Sequence, residues 1–221
     1  MSRKKLIVTS IILVLILAIG GILAYFTDVE TKTNTFAMGK VDIEVTETDW
    51  PVGEDEKVTD VVPGTTVPKN PQVKNKGTTP VYAFVTVSIP YENVVVGNNA
   101  KADTELFTTN YNASNSEWVE IGTATKDTAS KSFKHVYAYV GNAEGDSTNK
   151  VKALQGNQTT SPVFTTITFA DVKETDGDAS PIQGEDLNVI VKGYGIQTTE
   201  IGDSTVPATV WGLVQSANPN N

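Results

Sequence analysis

The apolar residues of this chain recur at every second position, and that period confines it to β structure. The clearest run is Val81 to Ile89, where Val81, Ala83, Val85, Val87 and Ile89 share one face of an extended strand. Tyr82 and Phe84 begin the other face, which ends in Thr86 and Ser88. A strand that is apolar on both faces belongs in the middle of a sheet. Pro90 is expected to end it, because proline has no N–H to give to a ladder.

The same alternation recurs along the chain. Val41, Ile43 and Val45 alternate with Asp42, Glu44 and Thr46, a half-buried strand with one wet face. Phe133, His135, Tyr137 and Tyr139 alternate with Lys134, Val136, Ala138 and Val140 in a strand over Ser132 to Val140. Val163, Thr165, Ile167 and Phe169 alternate with Phe164, Thr166 and Thr168. Leu187, Val189 and Val191 begin a strand that runs on through Tyr194 and Ile196, and Gly193 and Gly195 within it predict a bulge or a close backbone approach. Between these runs, Glu47 to Asp60 is acidic and turn-rich, and Pro63-Gly64 signals a turn. Pro68 and Pro71 place any strand over Val67 to Lys74 at a sheet edge. Asn75-Lys76-Gly77 reads as a hairpin turn. Residues 97–131, rich in Asn, Ala, Thr and Ser, read as a surface insertion with a short strand at Trp118 to Ile121. Residues 141–161 are a polar connection and Asp171 to Asp186 an acidic loop. The one helical pattern is Thr205 to Gln215, with Pro207 in its first turn and Val206, Val210 and Val214 four apart. These signals predict an all-β fold: an antiparallel, jelly-roll-like β-sandwich of about seven or more strands with loop insertions.

An N-terminal signal-peptide helix is expected to precede that domain. Arg3, Lys4 and Lys5 form a basic start, Leu6 to Leu23 is nearly all apolar, and Gly20-Gly21 leads into small Ala24. That is a signal peptide's anatomy, with cleavage expected between Ala24 and Tyr25. The alternative is an uncleaved membrane anchor, the one route by which this chain would engage a membrane. Ile22, three positions before the cut, departs from the usual small residue there and points to a specialised signal peptidase. The organisation expected is a signal peptide over 1–24, a free N-terminal segment and hinge over 25–40, the sandwich over 41–215 and a disordered tail over 216–221.

The rest of the composition excludes more than it selects. The 221-residue chain has no Cys, so neither a disulfide nor a thiolate contributes. Without residues 1–24 the chain holds 14 Lys+Arg against 26 Asp+Glu, a net charge of −12. Such a charge repels nucleic acid, so no nucleic-acid partner is expected. One His, His135, sits in a strand pattern, where a packed or surface strand residue is the ordinary reading. No G-x-S-x-G elbow and no phosphate-cradling glycine loop occur. Glu54-Asp55-Glu56, Asp176 with Asp178, and Glu185-Asp186 are carboxylate clusters with the residue types of extracellular Ca²⁺ loops, but none has EF-hand spacing and each reads as a solvated acidic loop.

Ala24-Tyr25-Phe26-Thr27-Asp28, Lys32-Thr33-Asn34-Thr35-Phe36 and Gly39-Lys40-Val41-Asp42-Ile43 resemble the start of the TasA/camelysin family. Val62-Pro63-Gly64, Asn75-Lys76-Gly77-Thr78-Thr79-Pro80-Val81-Tyr82 and, more faintly, Gly193-Tyr194-Gly195-Ile196-Gln197 continue the likeness, which most resembles the BsaA-type pilin group. The match covers roughly residues 1–90, while 97–160 find no counterpart. The resemblance implies export through a specialised signal peptidase and assembly into biofilm matrix fibres or pili at the cell surface. Some members carry a metallopeptidase label. A zincin needs two His one helical turn apart with a Glu beside them, and this chain has one His. The expectation is therefore no metal, no cofactor and no enzymatic activity.

Fibre assembly has a candidate segment. With Tyr25 to Phe36 extended, Tyr25, Thr27, Val29, Thr31, Thr33 and Thr35 form one uncharged, strand-favouring face. Asp28, Glu30, Lys32 and Asn34 fall on the other, which favours water. Met38-Gly39-Lys40 supplies a hinge before the first strand. A segment of this kind suits addition to the sheet edge of the next subunit, giving a homopolymer. Tyr25, Phe26, Val29, Thr31, Thr33 and Phe36 are its expected contact residues. Lys32 and Asn34 are candidates for an isopeptide bond, against the plainer reading of two solvated polar residues. The alternative function is a secreted adhesin or surface binding module, whose mark would be clustered exposed aromatics; Trp50, Trp118 and Trp211 are instead scattered along the chain.

Overall fold

The computed structural model describes residues 40–51, 58–59, 61–112, 117–141, 150–173, 182, 184, 186–199, 201–202 and 204–218. The chain divides into two units, Met1–Met38 and Gly39–Asn221, and all described residues belong to the second.

The fold is built on the strand with the strongest alternation. It spans Val81–Val96 and runs seven residues beyond the expected end at Ile89. Numbered in chain order, the strands are β1 (Ile43–Thr46), β2 (Thr66–Pro68), β3 (Gln72–Asn75), β4 (Val81–Val96), β5 (Ala102–Glu105), β6 (Phe107–Thr109), β7 (Trp118–Glu120), β8 (Thr125–Asp127), β9 (Ser132–Tyr139), β10 (Ala153–Leu154), β11 (Thr166–Phe169), β12 (Val172–Lys173) and β13 (Ile190–Gln197). Among the described residues one helix, α1, spans Pro207–Ala217.

Phe84 to Ser88 pair with β9 and with β13 at once, so these two strands flank β4 on opposite sides. Its two apolar faces enter two cores. Val81, Ala83, Val85, Val87 and Ile89 join Val73, Leu106, Trp118, Ile167 and Phe169 in the main core. Phe84, on the other face, joins Ala138, Val151, Tyr194, Val210 and Val214 beneath α1. The helix thus covers one face of this sheet, with Trp211 tilted against Phe84 at 5.5 Å and edge-on to Tyr194 at 5.3 Å. Pro207 opens the helix as expected, and it continues to Ala217, into the stretch read as a disordered tail.

The facing layer is formed by β1 with β3 and by β2, β11 and β6. Residues 65–75 run antiparallel to 158–169 throughout: Phe169 N–H donates to Thr65 O, Lys69 N–H to Thr165 O, Val163 N–H to Pro71 O and Asn75 N–H to Gln158 O. Among the described residues β2 pairs with β11 alone, the edge position expected from Pro68. All described strand pairings are antiparallel, and the sandwich-like all-β class is the one the alternation indicates.

Three local readings are corrected. Pro90 does not end β4. The β13 pairing finishes at Ser88 and the β5 pairing begins at Tyr91, so the missing N–H falls in the gap between two partners. Its carbonyl still accepts from Leu106 N–H at 2.8 Å. Asn75-Lys76-Gly77 does not join a hairpin, since β3 pairs with β1 while β4 pairs elsewhere; it carries the chain from one layer to the other. Residues 97–131 supply β5 to β8, and Leu106 and Trp118 within them are 1% exposed. The close approach expected at Gly193 and Gly195 is present: a Cβ on Gly193 would stand 2.6 Å from Val45 Cγ2, and one on Gly195 2.9 Å from Ile43 Cγ2. The missing side chains make room for β1.

Candidate functional site

The most concentrated polar chemistry among the described residues surrounds His135. The β7–β9 register sets Glu120 opposite Tyr137. His135 lies two residues before Tyr137 on the same face, within diagonal reach of Glu120. β5 approaches from the end of β4 and brings Glu105 to the other side of the ring. The outcome is a clasp: His135 Nδ1 lies 2.7 Å from Glu120 Oε1 and Nε2 lies 2.6 Å from Glu105 Oε1. The imidazole stacks on Tyr137 at 6.2 Å with 9° between planes, and only 16% of the His135 side chain is exposed.

Surrounding groups hold this arrangement in place. Tyr111 Oη donates to Trp118 O and accepts from Glu120 N–H, both at 3.1 Å, fixing the β7 backbone that carries Glu120. Its ring meets Tyr137 edge-on at 4.8 Å. Burial pushes the Tyr137 and Tyr111 phenols up, so both stay neutral.

The protonation of His135 follows from its partners. Ionised carboxylates only accept hydrogen bonds, so both ring nitrogens must carry protons for both contacts to be made. The hydrogen bond to Glu105 raises the imidazole pKa above its ordinary 6.5; partial burial opposes this, and Glu120 adds to the rise. An imidazolium with both N–H groups committed has no lone pair for a metal and none with which to take a proton. The cluster is an electrostatic clasp joining β5, β7 and β9.

A second polar cluster ties the start of the chain to the facing layer. Lys69 Nζ donates to Glu47 Oε2 at 2.6 Å and lies 4.8 Å from the centre of the Trp50 ring. Asp49 N–H donates to Asn70 Oδ1 and Asn70 Nδ2 to Thr48 Oγ1. These contacts fasten residues 47–50 beside β2 and contain no nucleophile–base pair.

Ala24 and Tyr25 at the expected cleavage site, Phe26, Val29, Thr31, Thr33 and Phe36 of the expected polymerisation strand, and Lys32 and Asn34 of the isopeptide reading all lie outside the described residues. So do Glu54-Asp55-Glu56, Asp176, Asp178 and Glu185. Glu105 and Glu120 were not singled out in the sequence. They stand 30 and 15 residues from His135, and tertiary pairing alone brings them to it.

A family model described as Camelysin metallo-endopeptidase matches residues 3–200. No curated protein matches the chain. The metal that this description implies does not fit the residues present. The chain has one His and no Cys, so neither a two-His helix motif nor a thiolate set can be assembled. The ring nitrogens of that one His are both taken by carboxylates.

Proposed function

The chain belongs to the camelysin family, and from that premise we propose that it is a secreted structural subunit of an extracellular biofilm matrix fibre or pilus, of the BsaA-type pilin kind, and not an enzyme. In this reading a specialised signal peptidase frees Tyr25, and residues 25–36 of each subunit complete the sheet of the next. The observation that carries the reading is the period-two pattern of Tyr25 to Phe36, placed directly before β1 and separated from it by Gly39. Head-to-tail contact of this kind does not close on itself and gives a filament. The commitment of His135 to two carboxylates supports a structural part over a peptidase. An adhesin reading has less support: Trp118 is buried, Trp211 packs on Phe84 and Tyr194, and Trp50 lies under Lys69, so the three Trp side chains form no shared ligand surface.

Val29→Asp tests the proposal. It places a carboxylate on the inserted face, where burying an unpaired charge costs several kcal/mol. The mature wild type should sediment as polymer and the variant as monomer with an unchanged melting temperature. A variant that polymerises like wild type would refute strand donation by this segment.

A further inference from the structure

We propose that the outer edge of β13 is the acceptor that receives residues 25–36 from a second copy of this chain; the inference rests on the strand-donation reading and specifies its other half.

The ladder geometry fixes which backbone groups are on offer. Tyr91 N–H donates to Lys131 O, next to β9, so the odd residues of β4 direct their backbone groups to β9 and the even ones to β13. In β13 the partners of those even residues are Ile190, Lys192, Tyr194 and Ile196. Val191, Gly193, Gly195 and Gln197 therefore turn their N–H and C=O groups away from β4. Among the described residues no strand pairs with that side.

Edge length then separates β13 from the alternatives. Natural sheets protect their margins by keeping edge strands short or by placing proline or charge on them. Among the described residues, the other strands that pair on one side only, β1, β2, β5, β6, β7, β8, β10 and β12, have two to four residues. β2 also ends in Pro68. β13 has eight residues, no proline, and no charge at any of its four outward-directed positions.

Apolar surface lies at both ends of this edge. Ile190, the first residue of β13, is 51% exposed. At the other end Val41 is 40% exposed, and its Cγ1 stands 3.7 Å from where a Cβ on Gly195 would lie. Side chains alternate along β13, so Ile190 lies on the Tyr194 face and Val41 on the Gly195 face, and the uncharged face of an added strand would meet Val41. Tyr25 to Phe36 fits in pattern, with an uncharged face for the shelf and Asp28, Glu30, Lys32 and Asn34 for water. Its twelve residues exceed the eight of the acceptor, so the whole edge can be paired.

The test is a complementation of two defective subunits in the mature full-length chain. The acceptor variant carries Val191→Pro and Gln197→Pro, which remove outward N–H groups and leave the β4 ladder its own. The donor variant is Val29→Asp. The acceptor variant alone should raise the critical concentration for assembly about tenfold or more. Mixed in equal amounts, the two should form a heterodimer that goes no further, because each supplies the half the other lacks. A cooperative melting transition at the wild-type temperature establishes that the acceptor variant is folded. Unimpaired polymerisation of the acceptor variant would overturn the assignment while leaving strand donation standing, as would loss of assembly in Val45→Pro on β1 with β13 variants unaffected. Polymerisation of Val29→Asp alone would instead remove the reading on which the assignment rests.

Discussion

Asn75→Ala isolates the junction on which the two layers depend. Asn75 is fully buried. Its Nδ2 donates to Thr79 O at 2.9 Å and to Leu154 O at 3.0 Å, and its Oδ1 accepts from Gly77 N–H at 2.9 Å. One carboxamide thus ties β3, the turn that follows it, and β10 on the opposite sheet. Truncation takes a donor from the buried Leu154 carbonyl and from the partly buried Thr79 carbonyl, whereas Gly77 N–H keeps Asp42 O at 3.0 Å. Each orphaned group costs about 1–3 kcal/mol, and water entering the space vacated lowers the total, so about 3 kcal/mol is expected. At about 2–4 °C per kcal/mol for a chain of this size, the melting temperature should fall by about 6–12 °C. Asn75→Asp should cost more, since it keeps the shape and sets a carboxylate against two carbonyl oxygens. Urea denaturation of the mature chain, followed by circular dichroism, measures both. Losses below about 1 kcal/mol in both variants would mean that the junction does not bear on stability as the burial and hydrogen bonds require.

The remaining predictions concern charge, chemistry and processing. The clasp at His135 is present in full below the ordinary imidazole value of 6.5 and is lost as pH rises through the raised folded-state value. The urea midpoint should therefore decline with rising pH above neutrality, and His135→Gln should flatten that decline; a wild type and variant with parallel profiles would refute the clasp. Purified protein should show no chelator-sensitive proteolysis, and an activity that survives purification and disappears in His135→Ala would contradict the structural reading. N-terminal sequencing of the extracellular form should begin at Tyr25 or within one or two residues of it, and retention of Met1 would contradict cleavage.

The legible part of this fold was the part whose signal is local. Val81 to Ile89 declared a central strand because both faces carry apolar residues, and each face meets its own core. Gly193 and Gly195 declared a close approach, which the side chains of β1 make. The remainder was hidden for identifiable reasons. The effect of Pro90 depends on where neighbouring strands begin and end, which no local pattern records. The polar character of residues 97–131 masked anchors spaced far apart, such as Leu106 and Trp118, whose indole Nε1 donates to Ser161 O at 2.9 Å. Asn75 looked like a turn residue, and its role depends on Leu154, 79 positions away. The His135 clasp was illegible for the same reason: a strand pattern places the imidazole on a face and says nothing of which carboxylates arrive there.

Electron microscopy of the purified mature protein, beside a form lacking residues 25–36, tests strand donation most directly. The account predicts long unbranched fibres from the chain beginning at Tyr25, and folded, monodisperse particles without fibres from the shortened chain. Fibres of normal length from the shortened chain, or monomers from the intact one across assembly conditions, would contradict it.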